Sequence, residues 1–297
     1  MQSNQNKTMS SFQCHLSLLF VIILWGSSFA SIKILLPQIP ANTIAFLRFF
    51  LASIAYGLFL VITKQPRLQK KHLPIILLTG FSGITIFNVL QNQGLRYAGV
   101  TDSAIFIAMS PVFIALLSWL ILKERISNLQ IIGIIIAFAG SVLVATEGSF
   151  NGLGFNRMRL LGDLLVLLSS IAWAVFSILL KKLLAHYPPI TIITYSTIAG
   201  TILLIPFSLI EYPFNLTAVT TAGWLNLIYL GLLASALGNL IWNAALNTVS
   251  AVTVGAYLYL SPIVAPIVAF IFLNEIPSMY TIAGGLIILM GTYFASK

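Results

Sequence analysis

Between short polar breaks, apolar residues in this chain run for about twenty positions at a time, covering every face of a helix rather than one stripe. A hydrocarbon core of about 30 Å calls for roughly 20 helical residues. Ten such stretches are expected, at approximately 15–36, 43–63, 73–91, 101–122, 129–146, 160–185, 190–210, 222–243, 250–273 and 278–295. A secretory signal is the competing reading of the first, but its length and the spans that follow make it a retained helix. The longest connection, 147–159, is far shorter than a small soluble domain of about 50 residues. Whatever the chain does, it does inside the membrane.

The polar positions recur. Shifted by 151 residues, Asn88 falls on Asn239, Asn92 on Asn243, Ser110-Pro111 on Ser261-Pro262, Glu124 on Glu275, Ser127 on Ser278, Gly133 on Gly284 and Gly140 on Gly291. Nearer the start of each half a shift of 148 pairs Trp25 with Trp173, Lys33 with Lys181 and Thr43 with Thr191. The expected architecture is an all-α polytopic membrane protein of ten transmembrane helices. Helices 1–5 form a first repeat at 15–146 and helices 6–10 a second at 160–295; a cytoplasmic tail, 1–14, precedes them and a loop, 147–159, joins them. Five is odd, so the second unit enters the membrane from the opposite face and the repeats are inverted.

Composition agrees. Of 297 residues, 59% are hydrophobic and 7% charged, against about 25% charged in a soluble domain; the exterior therefore faces lipid. A net charge of +9 would ordinarily suggest nucleic acid. Here the basic residues lie in short runs between apolar blocks, with no basic helix face, so no nucleic-acid partner is expected. They orient the chain instead. With the N-terminus cytoplasmic, that side receives Lys7, Lys64, Arg67, Lys70, Lys71, Lys123, Arg125, Lys181, Lys182 and Lys297; the other receives Lys33, Arg96, Arg157 and Arg159. Both termini are expected in the cytoplasm. Cys14, the single cysteine, has no partner for a disulfide or a CxxC site.

The first span carries Trp25-Gly26-Ser27-Ser28-Phe29 and the second Leu47-Arg48-Phe49; Ser110-Pro111 is followed by Leu122-Lys123-Glu124-Arg125 and Gly133. The second half answers with Ala172-Trp173-Ala174-Val175-Phe176, Ser261-Pro262, Asn274-Glu275 and Gly284. In these motifs the chain resembles the EamA-like branch of the drug/metabolite transporter superfamily, from residue 15 onward. The resemblance implies a small-molecule carrier, often an exporter of amino acids, metabolites or drugs, with a central cavity between the halves. The expected setting is a bacterial inner membrane, as monomer or homodimer. Two departures imply that the halves are not equivalent: Ser196 stands where a shift of 148 puts the partner of Arg48, and no glycine follows Trp173.

Pro111 and Pro262 lie mid-span, where each removes a backbone donor and clashes with a carbonyl one turn back. Each should kink its helix, either lining a cavity with freed carbonyls or packing against neighbours that satisfy them. Asn88 and Asn92 share a helical face, as do Asn239 and Asn243; they either meet a polar solute or bond between helices. Trp25 and Trp173, deep in their spans, either fill core volume or form walls of a pocket, with Tyr257 and Tyr259 as further aromatic candidates. Arg48, inside the second span among Phe46, Leu47, Phe49 and Phe50, needs a partner, water or a snorkelling path: it either binds a substrate carboxylate or serves as a structural pair or an outer-interface anchor. With Ser28 of the first motif, these are the candidate substrate-binding residues. No metal site and no cofactor are expected.

The six acidic residues, Asp102, Glu124, Glu147, Asp163, Glu211 and Glu275, all fall at span ends or in loops, and no GxxxxGK[ST] loop is present for ATP. That favours a secondary transporter, an exporter or exchanger of small organic metabolites working by alternating access. A proton-coupled antiporter is the nearest alternative. An intramembrane enzyme would need converging carboxylates or His/Asp pairs, and a channel has a similar polar stripe.

Overall fold

The computed structural model describes residues 10–97, 105–146, 157–212, 215–264, 267 and 278–297. These residues form helices and turns, with no strand among them. In chain order the helices are α1 (Ser11–Leu35), α2 (Ala41–Ile62), α3 (Lys70–Gly94), α4 (Ile105–Leu122), α5 (Asn128–Thr146), α6 (Arg157–Leu183), α7 (Pro189–Leu209), α8 (Thr221–Thr248), α9 (Ala251–Val264) and α10 (Met279–Ala295). The first eight are long and apolar enough to cross a membrane, and α9 and α10 are shorter apolar helices. Leu16, Ile62, Trp119, Ile135, Leu209 and Leu286 stand largely exposed on the outside. In water that surface would be unstable; in a bilayer it is the expected exterior.

Helix starts differ from the hydropathy pattern where polar side chains decide them. α1 begins at Ser11 rather than at residue 15, because Ser10 and Gln13 close a capping box: Gln13 N donates to Ser10 Oγ (3.2 Å) and Ser10 N to Gln13 Oε1 (3.0 Å). The same reciprocal pair, Ser127 with Gln130, opens α5. α6 begins at Arg157, which places Arg157 and Arg159 on its first turn instead of in a loop. The expected stretches 101–104, 147–156 and 268–277, with Asp102, Glu147 and Glu275, lie outside the described residues, as does the side chain of Lys33.

Among the described residues, three spans carry a π-turn, an irregularity that hydropathy does not encode, and the one in α4 is Ser118–Leu122. α3 contains a π-turn at Phe81–Ile86 and α8 one at Tyr229–Leu237, overlapping positions under the 151-residue shift. A π-turn holds one residue more than an α-turn and disturbs the carbonyl ladder beside it. In those of α3 and α8, an asparagine reaches back to a bulge carbonyl: Asn88 Nδ2 donates to Ile84 O and Asn239 Nδ2 to Ser235 O, both at 2.8 Å. α4 is interrupted at Ala108 and Met109 and resumes at Ser110, so Pro111 sits in a first turn, where its missing N–H is not needed. Ser170 Oγ of α6 donates to Phe106 O beside that break (2.8 Å). In α9 a 3₁₀ turn, Tyr257–Leu260, leads into Ser261-Pro262. Pro206 lies in the interior of α7 and is not singled out by the repeat.

α5 and α10 meet backbone to backbone along their small residues. A Cβ on Gly133 would strike the backbone of Gly291 and Ala295, one on Gly140 the backbone of Gly284 and Ile288, and the reverse clashes hold for Gly284 and Gly291. Small residues are what let two backbones meet when no hydrophobic force favours helix over lipid. Gly140→Ala is expected to cost about 1–3 kcal/mol by overpacking, because Gly284 O and Ile288 N, two of the three atoms it meets, are backbone and cannot move aside. The check is the unfolding midpoint of the protein purified in detergent; an unchanged midpoint would contradict the packing.

Candidate functional site

The bulge of α8 gathers side chains from two other helices of the chain, α1 and α2. Trp25 Nε1 on α1 donates to Ala234 O (2.9 Å). Tyr56 Oη on α2 donates to Ser235 O (3.3 Å) and to Ala236 O. Arg48, also on α2, donates from Nε to Ser235 Oγ (2.7 Å) and lies over the Phe49 ring at 5.0 Å. A charged side chain at this depth therefore has a hydroxyl and an aromatic face as partners. Ser28 donates to Trp25 O one turn back (2.6 Å), and Tyr229 Oη ties the bulge to Leu24 O (3.0 Å) and Ser27 Oγ (2.6 Å). The α8 bulge is thus a junction for α1 and α2.

Next to it stands an aromatic cluster drawn from both halves. Trp25 meets Trp173 edge to face, with centroids 5.3 Å apart at 85°, and packs against Trp242 at 5.3 Å; Trp173 and Trp242 are 5.8 Å apart. Phe87 and Phe176 close on Trp173 at 5.1 and 5.2 Å. Such ring pairs contribute about 0.5–1.5 kcal/mol each beyond their burial. Two of the three indoles leave a donor unused: Trp173 Nε1 and Trp242 Nε1 are buried, and neither has an acceptor among the described residues. A buried N–H without an acceptor is a place where a water or ligand oxygen is favoured.

The other expected residues do not gather here. Asn88 and Asn239 are buried and spend their amide N–H on the bulge carbonyls already named. Asn92 and Asn243 belong to opposite ends of the bundle. Asn92 Nδ2 donates to Asn42 Oδ1 at the start of α2 (3.1 Å), and Asn243 Nδ2 to Pro189 O at the start of α7 (2.8 Å), leaving Asn243 Oδ1 buried without a partner among the described residues. Tyr257 Oη shares a 2.6 Å hydrogen bond with His15 Nδ1, and the rings stack at 5.7 Å. Tyr259 Oη is buried without a partner among the described residues.

Two carboxylates sit at helix starts, where the macrodipole and free N–H groups favour an anion. Glu211, just after α7, accepts from Asn42 N (3.2 Å), Thr43 N (2.9 Å) and Thr43 Oγ1 (3.0 Å) at the start of α2, with Arg96 Nη2 at 3.5 Å. Glu124, just after α4, accepts from Ala251 N at the start of α9 (3.1 Å) and pairs with Lys181 Nζ (3.3 Å), which also donates to Val249 O. Lys181 therefore faces a carboxylate. Sequence matching passed over Trp242 and Glu211 for one reason: the shifts place them on Gln91 and Thr63, so neither has a like partner.

A bundle of apolar helices with a buried aromatic and polar junction between its halves is the build of a membrane transporter. The profile of the EamA-like transporter family matches residues 13–146 and again 160–297. The chain belongs to the EamA-like transporter family, of the drug/metabolite transporter superfamily. It is 32% identical over 289 residues to an uncharacterized transporter of Archaeoglobus fulgidus, covering 95% of this chain and 96% of that one. It is 30% identical over 281 residues, 95% and 92% of the two chains, to a probable terminal-alkyne amino-acid exporter of Streptantibioticus cattleyicolor. A solved crystal structure shares the fold, with a TM-score of 0.83 over 97% of both chains at 17% identity.

Proposed function

We propose that the protein is a secondary transporter, an exporter or exchanger of small amino-acid-like or amphiphilic metabolites, and that two inverted five-helix repeats, 15–146 and 160–295, rock about a site at the tryptophan cluster. Both termini are cytoplasmic and the setting is the inner membrane. The observation that carries the reading is the junction itself: Trp25, Trp173 and Trp242 bring the two halves together, and two buried indole donors there have no protein acceptor among the described residues. Repeat-related contacts support the inverted arrangement. Gly80 of α3 lies against Ser196 O and Gly200 of α7, while Gly231 of α8 lies against Arg48 O and Leu51 of α2. Trp25, Trp173, Trp242 and Arg48 form the substrate region in this reading. Asn88 and Asn239 hold the bulges, while Asn92 and Asn243 fasten helix ends. The amino-acid exporter among the relatives supports the substrate class.

Counterflow in proteoliposomes tests it. Vesicles loaded with the transported amino acid should accumulate labelled external substrate transiently, with a panel of amino acids and aromatic amphiphiles naming the solute. Ion-channel currents, or no counterflow for any solute in the panel, would overturn the exchanger reading. Because Glu124 and Glu211 cap helices at opposite ends, a pH gradient is applied in parallel: net uptake driven by it selects the proton-coupled form of the cycle.

A further inference from the structure

A cavity of about 400 Å³ opens at the end of the bundle away from Ser11, lined by Asn42, Gln93, Arg96, Phe207, Ile210 and Glu211. Its volume falls in the range of small-ligand pockets, about 300–1,000 Å³. We infer that it is a vestibule that binds an α-amino acid with an apolar side chain, the ligand's carboxylate on Arg96 and its ammonium on Glu211. The inference rests on the proposed transport of amino-acid-like solutes and names a second site for them, distinct from the tryptophan cluster.

The chemistry is that of two opposite charges held loosely. Glu211 Oε2 is occupied by Thr43 N and Thr43 Oγ1, whereas Oε1 accepts only Asn42 N at 3.2 Å beside Arg96 at 3.5 Å. A carboxylate oxygen has two lone pairs, so Oε1 keeps room for an ammonium. The Arg96 side chain is 51% exposed, and apart from Glu211 its guanidinium has no protein partner among the described residues. A half-exposed pair at that distance contributes little, while a carboxylate presented to the guanidinium fork can take two parallel, charge-assisted bonds. A zwitterion therefore replaces one long contact with two better ones. An ion of single charge leaves Arg96 or Glu211 with nothing gained. Phe207 and Ile210 give the ligand's apolar side chain a wall, and Asn42 and Gln93 are neutral. The site is one-sided. The shift of 148 that relates the second spans carries Glu211 onto Thr63, so the opposite end of the bundle has no matching carboxylate at that position.

Binding to the protein purified in detergent, by isothermal titration, is the test, with L-leucine, leucinamide and isocaproate as probes. Leucine should bind about tenfold or more tightly than either single-charge analogue, and Arg96→Gln should weaken leucine about tenfold and erase its advantage over leucinamide. Glu211→Gln also loosens the start of α2, so Arg96→Gln, which lies outside that cap, is the deciding variant. Leucine binding no tighter than both analogues, or untouched by Arg96→Gln, overturns the vestibule. The two readings separate cleanly. Binding that is sensitive to Arg96→Gln, in a protein with no counterflow for any solute in the panel, keeps the vestibule and overturns the exchanger reading. Leucine counterflow with an unchanged half-saturation in Arg96→Gln does the reverse.

Discussion

Trp25→Ala is expected to abolish counterflow and to destabilise the fold by about 3–5 kcal/mol, the cost of deleting a large aromatic from a packed cluster, here a half-buried one. The indole makes an edge-to-face contact with Trp173, packs against Trp242, and donates to Ala234 O in the α8 bulge. Its loss would open a void between the halves and leave a bulge carbonyl unsatisfied. Trp25→Phe separates these effects: the ring volume is mostly kept, the hydrogen bond goes, and the cost should fall to about 1–3 kcal/mol. Thermal unfolding in detergent measures both. A Trp25→Ala protein as stable and as active as wild type would remove the cluster from the mechanism.

Glu211→Ala should be nearly as damaging, about 3–5 kcal/mol, as for the loss of one partner from a buried charged network. Its side chain is only 9% exposed and three donors at the start of α2 converge on it. Removing it strands two backbone N–H groups at the positive end of a membrane helix. Arg96→Gln provides the comparison, since a half-exposed ion pair contributes less than about 1 kcal/mol. A much larger drop in unfolding midpoint for Glu211→Ala than for Arg96→Gln identifies the carboxylate as a helix cap. Equal drops would mean that the ion pair dominates.

The helices were legible because apolar runs of span length have few other uses, and the repeat was legible because polar residues inside a membrane are rare enough to align by eye. The 151-residue shift matched Asn88 with Asn239 correctly, yet their purpose was hidden: an asparagine that holds a π-turn carbonyl looks the same in sequence as one that faces a solute. The bulges have no signature in hydropathy, since an added residue leaves the apolar run intact. Arg48 was legible as a charge needing a partner, but its partner was not. Ser235 lies 187 residues away in a helix whose register depends on the bulge. Asymmetry hid the rest. Trp242 and Glu211 fall on Gln91 and Thr63 under the shifts, so a search for likeness between halves passes over both.

The placement of Glu124 and Glu211 bears on how the chain assembles. Each is made in one half and used in the other: Glu124, ahead of residue 146, closes α9, and Glu211, beyond residue 160, closes α2. As synthesis runs from the N-terminus, the start of α2 waits for its counter-charge until some 170 residues more have been added. The first half can insert, but it is completed only by the second. Two halves made as separate polypeptides would each carry an unmatched helix end, and should be recovered in stable form only when produced together.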